Sequence, residues 1–230
     1  NNFDSLADQT VTATTTDNDV AGFTVAQTGG STAVAETGST DTFTIVLNAQ
    51  PLTDVVLSIS SSDTGETTVT SSLTFTNANW NTAQTVTVTG VDDNIIDGNI
   101  NSTLTVAIVD ESSNDSFDAV ANQTVTATTT DNDVAGFTIT QTGGSTSVAE
   151  TGTTDTFTIV LDAQPVSDVV LTVTSSDTGE ATVNTPLTFT SGNWNTPQTV
   201  TVTGVDDNLI DGTMSSTITV SVNDGSSDNN

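Results

Sequence analysis

The chain reads as all-β, two β-sandwiches in tandem, and three observations lead there. Apolar residues alternate with period two: in Thr42-Phe43-Thr44-Ile45-Val46-Leu47, the side chains of Phe43, Ile45 and Leu47 fall on one face, a strand and not a helix pattern. Such runs are short, rich in Thr, Val, Ile and Phe, and punctuated by Gly, Pro, Asn and Asp about every 8–12 residues, as in antiparallel sandwiches. Finally, Thr16-Asp17-Asn18-Asp19-Val20-Ala21-Gly22 returns as Thr130-Asp131-Asn132-Asp133-Val134-Ala135-Gly136, an offset of 114 residues that nearly everything between keeps. Solenoid rungs repeat every ~20–50 residues, so each copy is a domain: an immunoglobulin-like sandwich of about seven strands.

In chain order, residues 1–20 carry Phe3 and Leu6, then Gln9-Thr10-Val11-Thr12-Ala13-Thr14, which predicts a strand ending at Asp17. Residues 21–134 form a complete unit. Phe23 and Val25 alternate in its first strand, Gly29-Gly30 turns, and Ala33-Val34-Ala35-Glu36 resumes an edge. Pro51 closes the strand of Phe43; Val55, Leu57 and Ile59 supply the next. Ser61–Glu66 is a loop by its turn residues, and Val69, then Leu73 and Phe75, mark two short strands. Thr85–Thr89 runs to Gly90-Val91-Asp92-Asp93, Asp97-Gly98 turns, and Leu104, Val106 and Ile108 precede a last strand with Val125 and Ala127. Outward Thr suits a solvated strand face.

Residues 135–230 are the second copy, with Trp194 for Trp80 and Asp206-Asp207 for Asp92-Asp93. Asn230 matches Ser116, so the copy lacks partners for Phe117, Val125, Ala127 and Asp131; Phe3, Val11, Ala13 and Asp17 are those partners, at the other end of the chain. Asn1-Asn2 also repeats Asn229-Asn230. The chain is expected to be a window, two repeats wide, on an array continuing in phase, in which residues 1–20 complete a preceding or neighbouring repeat. The segment is too short to reach back to its own second copy. An opening at Asn1 with neither Met nor signal peptide agrees with a piece of something longer.

With no Lys, Arg, His or Cys and 29 Asp and Glu, the formal charge is −29. Nothing positive can meet nucleic acid, an anionic membrane or a phosphate ligand, and a compact chain so charged repels itself unless cations neutralise it. Regular apolar alternation argues against disorder. Disulfides and thiolate metal sites are excluded, no apolar run is long enough for a membrane helix, and trypsin-like proteases find no site, which suits an extracellular or cell-surface life. Only carboxylates and hydroxyls remain for catalysis, with nothing to set one carboxylate pKa apart from another, so no enzyme is expected.

In the first repeat Glu36, Asp63, Glu66, Asp92, Asp93, Asp97, Asp131 and Asp133 lie at strand ends or in loops. Alternate loops of a sandwich leave at one pole, and Asp131 and Asp133, two apart, face the same side. Six to eight carboxylates converging without a base require bound cations or protonation, and a hard all-oxygen set selects Ca²⁺, about two to four ions per repeat, over Mg²⁺, which keeps its waters. The second set is Glu150, Asp177, Asp206, Asp207 and Asp211 with Glu180, completed by a copy of Asp17 and Asp19. Glu66 stays open between ligand and turn residue. Asp41, Asp54 and Asp110 read as turn or edge residues, and Trp80 and Trp194 as packing rather than sugar platforms. Asn101-Ser102-Thr103, Asn114-Asp115-Ser116 and Asn122-Gln123-Thr124 match the glycosylation sequon weakly in so Asn- and Thr-rich a chain.

Val34-Ala35-Glu36-Thr37-Gly38, Leu73-Thr74-Phe75-Thr76, Asn79-Trp80-Asn81-Thr82, Thr85–Val88, Val91-Asp92-Asp93 and the terminal Asp131-Asn132-Asp133 resemble the Calx-beta family, above all the tandem Calx-beta-like repeats of large secreted bacterial, cyanobacterial and marine, surface proteins. The resemblance covers both repeats. It implies a seven-stranded sandwich binding several Ca²⁺ at one pole, beside the junction to the next domain, with ligands falling on Glu36, Asp63, Asp92, Asp93, Asp131 and Asp133. Where the family has further Glu after its Asp-Asp pair, this chain has Asn94-Ile95-Ile96-Asp97-Gly98, which implies fewer or weaker ions. Asn132 offers only a side-chain carbonyl.

The leading expectation is a Ca²⁺-rigidified structural repeat of an extracellular adhesin, sheath or filament, its partners being neighbouring copies of the same repeat. A second is a filament subunit joined by strand donation through residues 1–20. A third is a surface-binding module for ice or surface glycans, motivated by ladders such as Thr85-Val86-Thr87-Val88-Thr89.

Overall fold

The computed structural model describes residues 3–4 and 6–227; the overlap of Asn1-Asn2 with Asn229-Asn230 lies outside them. The period-two segments of the first unit form β1 (Phe23–Gln27), β2 (Thr32–Ala35), β3 (Thr40–Leu47), β4 (Val55–Ser61), β5 (Thr67–Val69), β6 (Ser72–Phe75), β7 (Gln84–Gly90), β8 (Ile100–Ile108) and β9 (Gln123–Thr130). They make two sheets, ordered β1-β3-β7-β5 and β2-β9-β8-β4-β6. The short β2, β5 and β6 carry the unit past the seven strands of the simplest sandwich. Every pair is antiparallel except β2 with β9, which is parallel.

The alternation in the sequence is the alternation of burial. In β3 Phe43, Ile45 and Leu47 point inward, and they meet Val86 and Leu104 in one core that also holds Phe117. Fully burying each large side chain contributes about 1.5–3 kcal/mol. Trp80 is half-buried against this core and Trp194 against the next, so both are packing residues.

The second unit comprises β10 (Phe137–Gln141), β11 (Thr154–Leu161), β12 (Val169–Ser175), β13 (Ala181–Val183), β14 (Leu187–Phe189), β15 (Gln198–Gly204) and β16 (Ile218–Val222). Its first sheet, β10-β11-β15-β13, repeats the register of the first unit, with Phe137 opposite Leu161 as Phe23 is opposite Leu47. Its second sheet is only β14-β12-β16. The reason lies in the pairing. A counterpart of β9 is absent from this part of the sequence, and β9 is the partner of β2. Without it the counterpart of β2, residues 146–149, forms no strand. β16 keeps only the counterparts of Leu104–Ile108, which pair with β4, and loses those of Ile100–Thr103, which pair with β9 alone.

The strand expected over Gln9–Thr14 does not form within this chain. Residues 6–20 are exposed and without regular structure, since a strand is held by its ladder and this one has no sheet to join. Val11 is 94% exposed, whereas its counterpart Val125 in β9 is 5% exposed.

Between β9 and β10 the chain passes through Asp131–Gly136 only. Beside this link the Gln164 N–H donates to the Asn94 carbonyl (2.6 Å) and the Ile96 N–H to the Gln164 carbonyl (3.3 Å), so that Ile95 and Gln164 form a parallel bridge.

Candidate metal centre

Several strand exits of the first unit meet at one pole. Glu36 follows β2, held by its N–H to the Thr130 carbonyl at the end of β9 (3.2 Å). Glu66 precedes β5, and its carbonyl accepts the Val91 N–H (2.9 Å) and the Thr129 hydroxyl (3.4 Å). Asp92 and Asp93 follow β7, Asp97 lies in the loop before β8, and Asp131 and Asp133 leave β9. Gly90 makes the convergence sterically feasible: a Cβ there would run into the Ala35 carbonyl, so only glycine lets β7 pass this close beneath β2 and bring Glu36 over the pole.

The loops are pre-set by their own carboxylates. Asp131 accepts the Asp133 N–H on Oδ1 (2.7 Å) and the Gly98 N–H on Oδ2 (2.8 Å). Gly98, at φ 73°, holds that turn. Glu36 Oε2 accepts the Asn132 N–H (3.1 Å), and the Asn132 amide donates to Asp92 Oδ1 (2.9 Å). Asp93 Oδ1 accepts the Ile95 N–H (2.7 Å).

Two triads result, Glu36–Glu66–Asp97 and Glu36–Asp131–Asp133, each with its ligand oxygens within 4.8 Å of one another and with Glu36 common to both. Glu36 is 1% and Glu66 5% exposed. Glu36 Oε1, Glu66 Oε2 and Asp133 Oδ2 are buried without a hydrogen-bond partner, and the chain contains no Lys, Arg or His to pair with them. Anionic oxygens in that position must be protonated or meet a cation. Burial, opposed by the Asn132 N–H and reinforced by Asp131, Asp93 and Asp97, raises the Glu36 carboxyl above its ordinary range. Glu66 is pushed up to about 7 by burial and then by Asp97, Glu36, Asp93 and Asp63. Asp133 is raised by burial and then chiefly by Asp131. An all-oxygen donor set with orphaned buried oxygens fits a hard divalent cation such as Ca²⁺.

Of the residues singled out in the sequence, Glu36, Asp97, Asp131 and Asp133 fall in the triads. Asp92 and Asp93 line the same pole, Asp92 through Asn132 and its charge on Asp133, Asp93 through its charge on Glu36. Asp63 lies nearby, but its Oδ1 is engaged by the Gly65 N–H (2.9 Å). Glu66, left open above, is a central member. Its signal in the sequence is the identity of Asp63-Thr64-Gly65-Glu66 with Asp177-Thr178-Gly179-Glu180 while the next residue changes from Thr67 to Ala181. Asp41 is structural, accepting the Ala33 and Thr42 N–H groups (2.9 and 2.7 Å).

The second pole is partial. Glu180, Asp207 and Asp211 form a triad, and Glu180 is raised by burial and then by Asp211, Asp207, Asp177 and Glu150. Glu150, on the unformed counterpart of β2, lies outside that triad, and Asp206 stays exposed. Asp17 and Asp19 are exposed on the unpaired segment, where the Asp19 N–H already donates to Asp17 Oδ1 (3.0 Å) as in the Asp131 turn.

No family model matches the chain, and no curated protein matches it. Among solved structures, the chain is similar to CBD12 from CALX1.2 (12% identity, 86% of this chain and 79% of that one, TM-score 0.35). It is also similar to domains 5-6 of the S-layer protein SbsC (20% identity, 91% and 94%, TM-score 0.31), and to the E. coli chaperone DraB (8% identity, 81% and 89%, TM-score 0.35). At these scores the superpositions are loose, and the sandwich assignment stands on the strand pairing itself.

Proposed function

We propose that this chain is a calcium-stabilised structural module of an extracellular adhesin, sheath or filament, with a mechanical and not a catalytic role. The observation that carries the reading is the set of buried, unpartnered carboxylate oxygens on Glu36, Glu66 and Asp133 in a chain without a single basic side chain. Ca²⁺ held by Glu36, Glu66, Asp97, Asp131 and Asp133 would supply the missing counter-charge. The first unit's acidic loop also carries the Asn94–Ile96 contacts to Gln164, so ordering that loop would stiffen the joint. Extracellular modules bind Ca²⁺ at about 10⁻⁴–10⁻³ M, which places the function where calcium is plentiful. Melting the protein in EGTA, Mg²⁺ and Ca²⁺ at constant ionic strength tests the reading: Ca²⁺ is expected to raise Tm well above both other conditions. Identical melting curves in all three would refute it.

A further inference from the structure

The second sandwich is open along a groove of about 800 Å³ where the first holds β9. Its walls include Ile139, Val148, Phe157, Met214, Ile218 and Val220. A smaller cavity of about 270 Å³ is lined by Ala135, Phe137, Leu161, Val169 and Val222. Their counterparts in the first unit, Ala21, Phe23, Leu47, Val55 and Ile108, belong to the core in which Phe117 is buried.

We propose that residues 3–20 of a second copy of this chain occupy both cavities, so that copies join head to tail by strand donation. Residues 3–20 differ from residues 117–134 only at Ser5, Leu6 and Asp8, which replace Ala119, Val120 and Asn122. The side chains that β9 buries, Val125, Ala127 and Thr129, with Phe117 before them, are therefore matched by Val11, Ala13, Thr15 and Phe3. Within residues 3–20, Phe3 is 74%, Leu6 67% and Val11 94% exposed, apolar side chains left open to solvent in the lone chain.

The register follows from the first unit. Ile100 pairs with Thr129 and Leu104 with Val125 across β8 and β9, and Thr32 pairs with Ala127 across β2 and β9. Shifted by one repeat, Met214 faces Thr15, Ile218 faces Val11, and Thr146 faces Ala13 of the incoming chain. The Gln123 amide, which donates to the Phe23 carbonyl (2.6 Å), has its equivalent in Gln9 toward Phe137.

Residues 3–20 cannot fill the groove of their own molecule. The donated strand must end with Asp19 at the acidic pole of the second sandwich, whereas Phe23 starts the first sandwich at the pole opposite its own Asp131. Asp19 to Phe23 spans at most about 14 Å, and an eight-residue strand such as β9 alone is about 27 Å long.

The two ends also match outside the groove. In the joint within the chain, half-buried Ile95 and Ile96 contact Gln164. Their counterparts Leu209 and Ile210 are 70% and 106% exposed, and Leu52, beside the counterpart turn at Gln50, is 88% exposed. A head-to-tail contact covers these three together. Because the surfaces that meet are different, the contact is heterologous and leaves each pair with a free end, so it propagates into a filament unless its rotation closes a ring.

Docking also delivers Asp17 and Asp19 to Glu150, completing the counterpart of the Glu36–Asp131–Asp133 triad. This part rests on the calcium reading above, and it makes assembly calcium-dependent.

The test uses the full chain. Wild type is expected to form a concentration-dependent ladder of oligomers in Ca²⁺, and Val11→Asp to stay monomeric with the melting of its first sandwich unchanged, since Val11 is 94% exposed in its own molecule. A synthetic peptide of residues 3–20 should bind the Val11→Asp chain one to one, and the same peptide carrying Val11→Asp should not. In a chain with no native cysteine, Thr15→Cys with Met214→Cys should give a disulfide ladder, and Thr14→Cys with Met214→Cys far less. A monomeric wild type that ignores the peptide overturns the proposal, as does a peptide that binds while the full chain remains monomeric. Equal peptide binding in Ca²⁺ and EGTA overturns only the calcium coupling and leaves strand donation standing.

Discussion

Glu36→Gln should change sign with calcium. Glu36 is 1% exposed, its Oε2 accepts one N–H, and its Oε1 accepts none. In EGTA the carboxylate is a buried charge facing Asp131, Asp93 and Asp97. The amide keeps an acceptor for Asn132, removes the charge, and offers its own N–H groups to the neighbouring carboxylates. Relief of a buried unsatisfied charge should stabilise the metal-free protein by about 1–3 kcal/mol, an increase in Tm of roughly 4–8 °C per kcal/mol for a domain of this size. With Ca²⁺ the balance inverts, because Glu36 belongs to both triads. A site saturated at about 100 Kd stabilises by about 2.7 kcal/mol, and each tenfold loss of affinity removes about 1.4 kcal/mol. Weakening two sites at once outweighs the gain from the lost charge. Circular dichroism melts of wild type and variant in EGTA and in Ca²⁺ give the four values needed. Glu150→Gln, whose counterpart triad is unformed in the lone chain, should move Tm little in either. A Glu36→Gln variant that shifts Tm in the same direction in both buffers would refute the assignment of Glu36 as a shared ligand.

Two further outcomes follow from the same pole. In the metal-free protein Glu66 is pushed up to about 7 from 4.5, so between those values the folded state binds more protons than the unfolded one. Stability in EGTA should therefore be highest near the lower value and fall as pH rises through about 7, and urea titrations across that range should lose this slope when Ca²⁺ is added. Gly90→Ala should destabilise the first sandwich by about 1–3 kcal/mol and weaken calcium binding, because the new Cβ meets the Ala35 carbonyl and displaces the strand that carries Glu36. Gly204→Ala creates the same clash with Ala149, but residues 146–149 form no strand and can yield, so its cost in the lone chain should be clearly smaller.

The sheets were legible wherever alternation and turn residues agree, as in β3 and β7, because inward and outward positions are written in the residue types. What was not legible is how one strand depends on another. Val148-Ala149-Glu150 repeats Val34-Ala35-Glu36 at the end of the edge strand, yet only the first copy forms a strand, since parallel pairing with β9 is what holds it. Gln9–Thr14 likewise carries the sequence of a strand and forms none without a sheet to join. At the pole the acid residues could be named from spacing, but the role of Glu66 could not, because its burial arises from the close passage of β7 and β9 around it. Asp63, named as a ligand in the sequence, lies outside both triads but beside them: its charge acts on Glu66, and its Oδ1 accepts the Gly65 N–H.

That dependence joins the two proposals. β9 supplies Asp131 and Asp133 directly, and it supplies Glu36 indirectly by holding β2. The second unit shows nearly the same sequence without that strand: Glu180, Asp207 and Asp211 still gather, and Glu150 falls outside that triad. If both proposals hold, docking of the last strand and completion of the cation site are therefore coupled. Binding free energies are reciprocal, so whatever factor strand docking adds to calcium affinity, calcium adds to strand docking. A chain of this design would be separate subunits where calcium is scarce and a continuous array of sandwiches where it is abundant, with Asp17-Asn18-Asp19 as the segment on which both equilibria act.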